Sequence, residues 1–138
     1  MGAIPRTVRI GMVSKINYKD GLIQATYPDL DDAVTDDFPV FSFTGEYKMP
    51  KVGDAILVLH LSNGQSAGIV MGGYWNEDNP PAVYGKNVWR KELDEDPGKA
   101  YMQYKDGKIT FHDPAAGSHT LKSIDDRLKA LEAVAHSH

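Results

Sequence analysis

Two histidines lie two positions apart near the end of the chain, at His136 and His138. Imidazole is a common metal ligand, and in an extended segment residues i and i+2 point to the same side. In a continuous helix the two side chains would lie about 200° apart. A site that uses both therefore requires the preceding helix to end near Val134 or Ala135. A histidine pair in a polar, frayed tail is the alternative interpretation.

The other residues that could bind a metal ion are scattered along the sequence. His60 lies within a predicted strand and is interpreted as a hydrogen-bonded core or edge histidine, while His112 and His119 have no ligand spacing. The acidic stretch Asp29–Asp37 resembles a calcium loop in composition, yet it lacks the central glycine and distal glutamate of an EF-hand. We expect it to be a solvated loop.

The sequence holds no pattern for catalysis. It has no cysteine, which excludes disulfides, thiolate zinc sites and cysteine nucleophiles. The patterns Gly-x-Ser-x-Gly and His-Glu-x-x-His and a phosphate-cradling loop are also missing from it. We predict a protein that is not an enzyme.

The length and the net charge of the chain exclude several classes of protein. The chain has 138 residues, 41% of them hydrophobic and 25% charged, which fits one globular domain with an appendage. Its net charge of −4 disfavours nucleic-acid binding, because such binding rests on neutralising phosphates. No apolar run reaches the ~18 residues of a membrane span, and Met1–Arg6 does not begin a signal-peptide pattern. We expect synthesis in the cytoplasm.

The first part of the chain, residues 1–82, is predicted to be all-β. Short segments rich in β-branched residues are separated by turn residues such as Asp20-Gly21 and Asn63-Gly64, with no helical period. Five such segments fit a small closed barrel, with glycines at its bends or bulges. The predicted strands are Val8–Ile16, Gly21–Tyr27, Phe38–Phe43, Ala55–Leu61 (buried on both faces) and Ala67–Gly72.

Three shorter segments follow. Residues 83–98 are rich in charge and proline and are predicted to be a connector, and residues 99–114 form a hairpin around Asp106-Gly107. Residues 115–138 are predicted to be a helix and tip, with a capping box at Ser123–Asp126. The helix carries a stripe with coiled-coil spacing, which packs either on its own domain or on copies of itself. The stripe consists of Leu121, Ile124, Leu128, Leu131 and Ala135.

Three motifs in order carry a resemblance to a known family. They are Pro50-x-Val-Gly-Asp54, Gly68-x-Val-x-Gly72 and Tyr74-x-Asn-x-x-Asn-Pro-Pro81. Together they resemble the oligonucleotide/oligosaccharide-binding (OB) barrel of phage baseplate assembly protein V, the central tail spike, and the similar barrel in the spike hub of type VI secretion. The resemblance spans roughly residues 7 to 82.

The resemblance implies a homotrimer in which Leu121, Ile124, Leu128 and Leu131 form the interface between chains. It also implies one iron ion, held by His136 and His138 from three chains, because six imidazoles suit an octahedral metal. The partners would be a baseplate hub or tail-tube protein and the envelope of the target cell. The protein would lie in the tail of a phage or a phage-derived particle and puncture that envelope mechanically.

Two alternatives remain open. One is a single-stranded nucleic-acid or oligosaccharide-binding barrel, which would use stacking aromatics at Tyr27, Phe38, Phe41 and Phe43. Nearby aspartates disfavour a nucleic acid there. The other alternative is a tail-assembly adaptor that does not pierce anything.

Overall fold

The computed structural model describes residues 7–61 and 67–137, which form two antiparallel sheets and one C-terminal helix. The chain divides into an N-terminal unit, Met1–Asn79, and a C-terminal unit, Pro80–His138. In chain order the elements are β1 (Val8–Asn17), β2 (Leu22–Tyr27), a 3-10 turn (Pro28–Leu30), β3 (Ala33–Val34), β4 (Phe38–Pro39), β5 (Ala55–His60), β6 (Gly68–Gly72), β7 (Trp89–Glu92), β8 (Tyr101–Lys105), β9 (Lys108–Asp113), β10 (Gly117–Thr120) and α1 (Leu121–His136).

The N-terminal sheet has the strand order β3-β2-β1-β5-β6, and β4 pairs with β2. The chain just after β4 also reaches β6. Val40 forms an isolated parallel bridge with Val70, and the Phe41 N–H donates to the Val70 carbonyl at 2.8 Å. The strand predicted over Phe38–Phe43 is therefore reduced to two residues and one bridge, because Pro39 has no N–H for a ladder.

The core of this unit lies on one face of the sheet. It consists of Val13, Ile23, Ala25, Tyr27, Phe38, Ile56, Val58 and Val70. The prediction that β5 is buried on both faces is wrong, because Ile56 and Val58 are buried while Leu57 and Leu59 are only half-buried. A period of two places alternate residues on opposite faces, and in β5 both faces carry apolar residues.

Glycines serve this unit in two ways. Gly72 has a φ of +105° and follows the register shift between β5 and β6, as a predicted bulge requires. Gly68 lies instead at a close approach, where an added Cβ would stand 2.5 Å from the Phe38 ring. The sequence predicted glycines at bends or bulges of this unit, but only a tertiary contact explains the glycine at residue 68.

The C-terminal sheet has the order β10-β9-β8-β7. Its central hairpin turns at Asp106 and Gly107, which both have positive φ, as the Asp-Gly pair predicts. Strand β7 lies within the segment expected to be a connector, and β10 lies in the segment expected to be helical. None of the described residues from 80 to 137 is buried. In this described part of the chain the best-covered side chains are half-buried.

Helix α1 starts earlier than the capping-box prediction placed it. Thr120 is the N-cap, and its Oγ1 accepts a hydrogen bond from the Ser123 N–H at 3.0 Å. The Ser123 hydroxyl donates back to the Thr120 carbonyl at 2.8 Å. The expected box at Ser123–Asp126 is thus displaced by three residues, because the threonine that ends β10 already satisfies the first turn.

Candidate assembly surfaces

The motifs that carry the resemblance have structural roles. Gly53 has a φ of +93°, and the Asp54 carboxylate accepts a hydrogen bond from the Lys51 N–H at 2.9 Å, which fixes the turn before β5. At the exit from β6, Asn76 Oδ1 accepts from the N–H groups of Asp78 and Asn79. These polar side chains satisfy backbone groups, so neither motif forms a site for chemistry.

A polar cluster lies at the ends of β2 and β5. The Tyr27 hydroxyl and His60 Nε2 share a 2.6 Å hydrogen bond, and the edge of the Phe38 ring meets the imidazole. Burial raises the pKa of Tyr27 to about 12. Burial, and then the nearby Arg9 cation, lower the pKa of His60. His60 is therefore the hydrogen-bonded histidine that the sequence indicated.

The acidic loop makes one ion pair with the sheet, from Arg9 Nη1 to Asp29 Oδ2 at 3.2 Å. The 3-10 turn and the short strand β3 shape the rest of this loop, and its aspartates are exposed. Within residues 7–61 and 67–137, no group of three or more metal-ligating side chains occurs.

The four aromatic side chains considered for stacking separate into two pairs. Tyr27 and Phe38 belong to the core, so their faces are not available to a base or a sugar. Phe41 and Phe43 are exposed and pack edge to face, with ring centroids 4.8 Å apart.

The C-terminal sheet has a polar face whose side chains contact one another. The Arg90 guanidinium lies 3.4 Å from the centroid of the Tyr101 ring, and Nη1 donates to Gln103 Oε1 at 2.7 Å. His112 stacks on Tyr101 with centroids 4.9 Å apart and hydrogen-bonds to Ser118. These contacts cross all four strands and leave that face internally satisfied.

The opposite face of the same sheet is mostly apolar and partly exposed. Directly paired residues share a face, so the register places Trp89, Tyr104 and Ile109 in one row. The next row contains Lys91, Met102, Phe111 and His119. Trp89, Ile109 and Phe111 are exposed. No site was predicted on this surface, although the alternations Met102-x-Tyr104 and Ile109-x-Phe111 in the sequence indicate it.

The predicted trimer-interface residues lie on helix α1, and all four are at least partly exposed. Leu121, Ile124, Leu128 and Leu131 are exposed by 38% to 66%, and Val134 is exposed as well. Within its own unit, helix α1 lies next to β9 and β10. Lys122–Asp126 and Lys129–Asp125 ion pairs lie elsewhere on the helix.

The histidine pair is only partly described. Helix α1 runs through His136, and the Ser137 N–H donates to the carbonyls of Ala133 and Val134. The helix therefore does not end by Val134 or Ala135, and His136 does not fit the extended arrangement that the metal site required. His138 lies outside the described residues. The iron site stays a prediction from the resemblance.

No protein-family model matches the chain, and no curated protein matches it. Among the described residues, no helix has the length and apolar character needed to cross a membrane.

Proposed function

We propose that this protein is the central spike of a contractile-tail baseplate, a homotrimer at the end of the tail tube that punctures the target envelope. One observation carries the proposal: helix α1 exposes its entire apolar stripe, and none of the described residues of its own unit is buried. An isolated helix of 16 residues is marginal in water, so the stripe needs partners.

The N-terminal unit supports the same function through its strand connections. Strand β1 pairs with β2 and β5, β5 pairs with β6, and β4 pairs with β2. The parallel bridge from Val40 to Val70 links the end of β4 to β6. We propose that these connections form the five-stranded OB barrel that the resemblance implies.

The exposed apolar surfaces of the C-terminal unit favour other copies of the chain as its partners. It exposes an apolar sheet face and an apolar helix stripe, and none of its described residues is buried. A unit whose apolar side chains are covered this little requires a partner that is present whenever the chain is made, and a second copy always meets that condition. The number three comes from the resemblance, and two heptads of stripe suit a short coiled coil.

The function is mechanical. Contraction of a sheath supplies the force, the hub or tube protein seats the barrels, and the three joined C-terminal units form a narrow, stiff tip. An iron ion at the apex, if the predicted site forms, would join the three chain ends.

Two measurements test this proposal. Sedimentation at micromolar concentration should give the mass of three 15.2 kDa chains. Immunogold labelling of purified contractile tails from the source strain should place the protein at the distal end of the tube. A stable monomer would refute the trimer, and a trimer that is missing from the tube end would refute the spike.

The nucleic-acid or oligosaccharide-binding alternative keeps one supporting observation, the exposed pair Phe41–Phe43. Titration with single-stranded DNA at low salt discriminates between the spike and a nucleic-acid-binding barrel. Micromolar binding that weakens as salt is added would favour the alternative. A trimer found at the tube end of tails that do not pierce would favour the adaptor.

A further inference from the structure

Strand β1 has one edge that is only partly paired. Its register with β5 covers residues 8–12 without a break. Its pairing with β2 starts only at Met12, because β2 ends at Tyr27 and a 3-10 turn follows. Among the described strands, none pairs with residues 8–11 of β1 on the β2 side.

The directions of the backbone groups show what this edge offers. In an antiparallel pair, the N–H and C=O groups of successive residues point alternately to the two sides of the strand. The Thr7 carbonyl accepts a hydrogen bond from the His60 N–H at 2.7 Å, and Val13 bonds to the turn before β5 through both its N–H and its carbonyl. Odd-numbered residues of β1 thus bond toward β5. Val8 and Ile10 therefore direct their N–H and C=O groups to the open edge.

A groove lies along this open edge. It has a volume of about 420 Å³ and is lined by Val8, Arg9, Ile10, Pro28 and Asp29. The Val8 and Ile10 side chains are 48% and 47% exposed, and Pro28 has no N–H to offer the free carbonyls of β1. The groove therefore combines apolar walls with unpaired backbone donors and acceptors. An extended peptide recognises such a surface by adding a strand to the sheet.

The charge beside the groove favours a basic occupant. Asp29 lines the groove, and its side chain is 59% exposed although it forms an ion pair with Arg9, whose side chain is 17% exposed. The carboxylate is therefore the more accessible of the two charges. The same loop exposes four further aspartates, Asp31, Asp32, Asp36 and Asp37. A second copy of this chain, with its net charge of −4, is disfavoured there, whereas a segment that carries lysine or arginine is attracted.

We propose that this groove binds an extended, basic segment of another protein, which adds a strand to the open edge of β1. The backbone of the segment hydrogen-bonds to Val8 and Ile10. Because directly paired residues share a face, its apolar side chains contact Val8 and Ile10, and the basic side chains that alternate with them reach Asp29 from the other face. The groove lies within one N-terminal unit, so this inference does not depend on the proposed trimer.

Amide hydrogen exchange, followed by NMR on the full chain, tests whether the edge is open. The N–H groups of Val8 and Ile10 should exchange quickly, whereas those of Arg9 and Gly11, which point to β5, should be protected. Protection of Val8 and Ile10 in the free protein would show that the edge is already covered, and would overturn the proposal.

The binding probe is a fluorescein-labelled hexapeptide of alternating lysine and valine, blocked at both ends and titrated by fluorescence anisotropy at low salt. It should bind and should protect the Val8 and Ile10 amides from exchange. Two control peptides should bind at least about tenfold more weakly. One has glutamate in place of lysine, and the other is methylated on every backbone nitrogen, which removes the donors needed for strand pairing.

Variants of the chain locate the site. Asp29→Asn should weaken binding of the lysine–valine peptide about threefold, as expected for an exposed ion pair, whereas Asp36→Asn makes the same charge change outside the groove lining and should have little effect. Val8→Pro removes one donor of the open edge and should weaken binding more than Val8→Ala, which keeps that donor. Melting temperatures verify that each variant is folded.

Three results would overturn the proposal. Failure of the lysine–valine peptide to bind would refute the site, and equal binding of the glutamate peptide would refute the preference for a basic segment. Equal binding of the methylated peptide, or natural affinity in both Asp29→Asn and Val8→Pro, would refute strand addition at this edge.

Discussion

The Tyr27 hydroxyl and His60 Nε2 lie 2.6 Å apart, where strands β2 and β5 end. Arg9 lies on the Tyr27 ring, with its guanidinium carbon 5.6 Å from the centroid. Burial and this cation hold the pKa of His60 below its ordinary 6.5. The folded unit therefore disfavours the protonated imidazole.

The lowered pKa of His60 should make stability depend on pH. As the pH falls through about 6.5, His60 takes up a proton more readily in the unfolded chain than in the folded chain, so the free energy of unfolding falls as the pH drops. Replacing His60 with glutamine should flatten the fall in melting temperature between about pH 7 and about pH 5. Tyr27→Phe keeps the titrating imidazole and should retain that fall. Equal slopes for His60→Gln and the natural chain would contradict the assignment.

The contact between Gly68 and Phe38 predicts that one methyl group added at residue 68 destabilises the fold. Because a Cβ at residue 68 would meet the ring at 2.5 Å and the Leu59 carbonyl at 2.9 Å, Gly68→Ala should lower the free energy of unfolding by about 1–3 kcal/mol. Gly73 is the matched control, since its nearest atom lies 3.8 Å from the added Cβ. Denaturant unfolding followed by circular dichroism measures both. Equal stability of the two variants would contradict the packing described.

Helix α1 predicts that charge on its stripe disperses the assembly. Ile124→Asp combined with Leu128→Asp places two carboxylates per chain where the copies meet, and sedimentation should then show single chains. Ala130→Asp combined with Ala133→Asp adds the same charge on the opposite side of the helix and should leave the trimer intact. An unchanged oligomer in the first variant would refute assembly through the stripe.

Trp89 reports on the apolar face of the C-terminal sheet. The chain has two tryptophans, and Trp75→Phe leaves Trp89 as the single emitter. Trp89 is 54% exposed in the single chain, so assembly over this face should shift its emission to the blue and protect it from acrylamide. Adding Ile124→Asp and Leu128→Asp should remove that protection. Equal quenching in both proteins would mean that the face stays open.

The continuous helix changes what the iron prediction requires. The spacing Leu131, Ala135, His138 continues the stripe in sequence, whereas His136 does not belong to it. In tag-free protein, elemental analysis should therefore find the metal lost in His138→Ala and retained in His136→Ala, with the trimer intact in both. Protein that contains no iron would end the prediction.

Local pattern accounts for much of the fold. The segment Val8–Ile16 and the Asp106-Gly107 hairpin appear close to where β-branched residues and turn residues place them. Strand β7 was missed because the charges of Arg90 and Glu92 are typical of a loop, and its pairing depends on the distant Gln103 and Tyr101. The helix start was missed because the capping residue, Thr120, also ends a strand.

The site was harder to predict, for a physical reason. The stripe on α1 could be found from spacing alone. Whether the stripe packs against its own chain depends on tertiary structure, which spacing does not give. The outward faces of β1, β5 and β6 required knowledge of which alternate residues the core takes.

A C-terminal half in which no described residue is buried has a consequence for biogenesis. If the proposed trimer forms, the first half of a newly synthesised polypeptide can fold unaided, whereas the second half buries its apolar side chains only when sister molecules arrive. Until then it should be an easy substrate for proteases, so solitary or surplus molecules would be cleared. Folding of the C-terminal half and assembly into a fixed number of subunits would then occur in one step, without a dedicated chaperone.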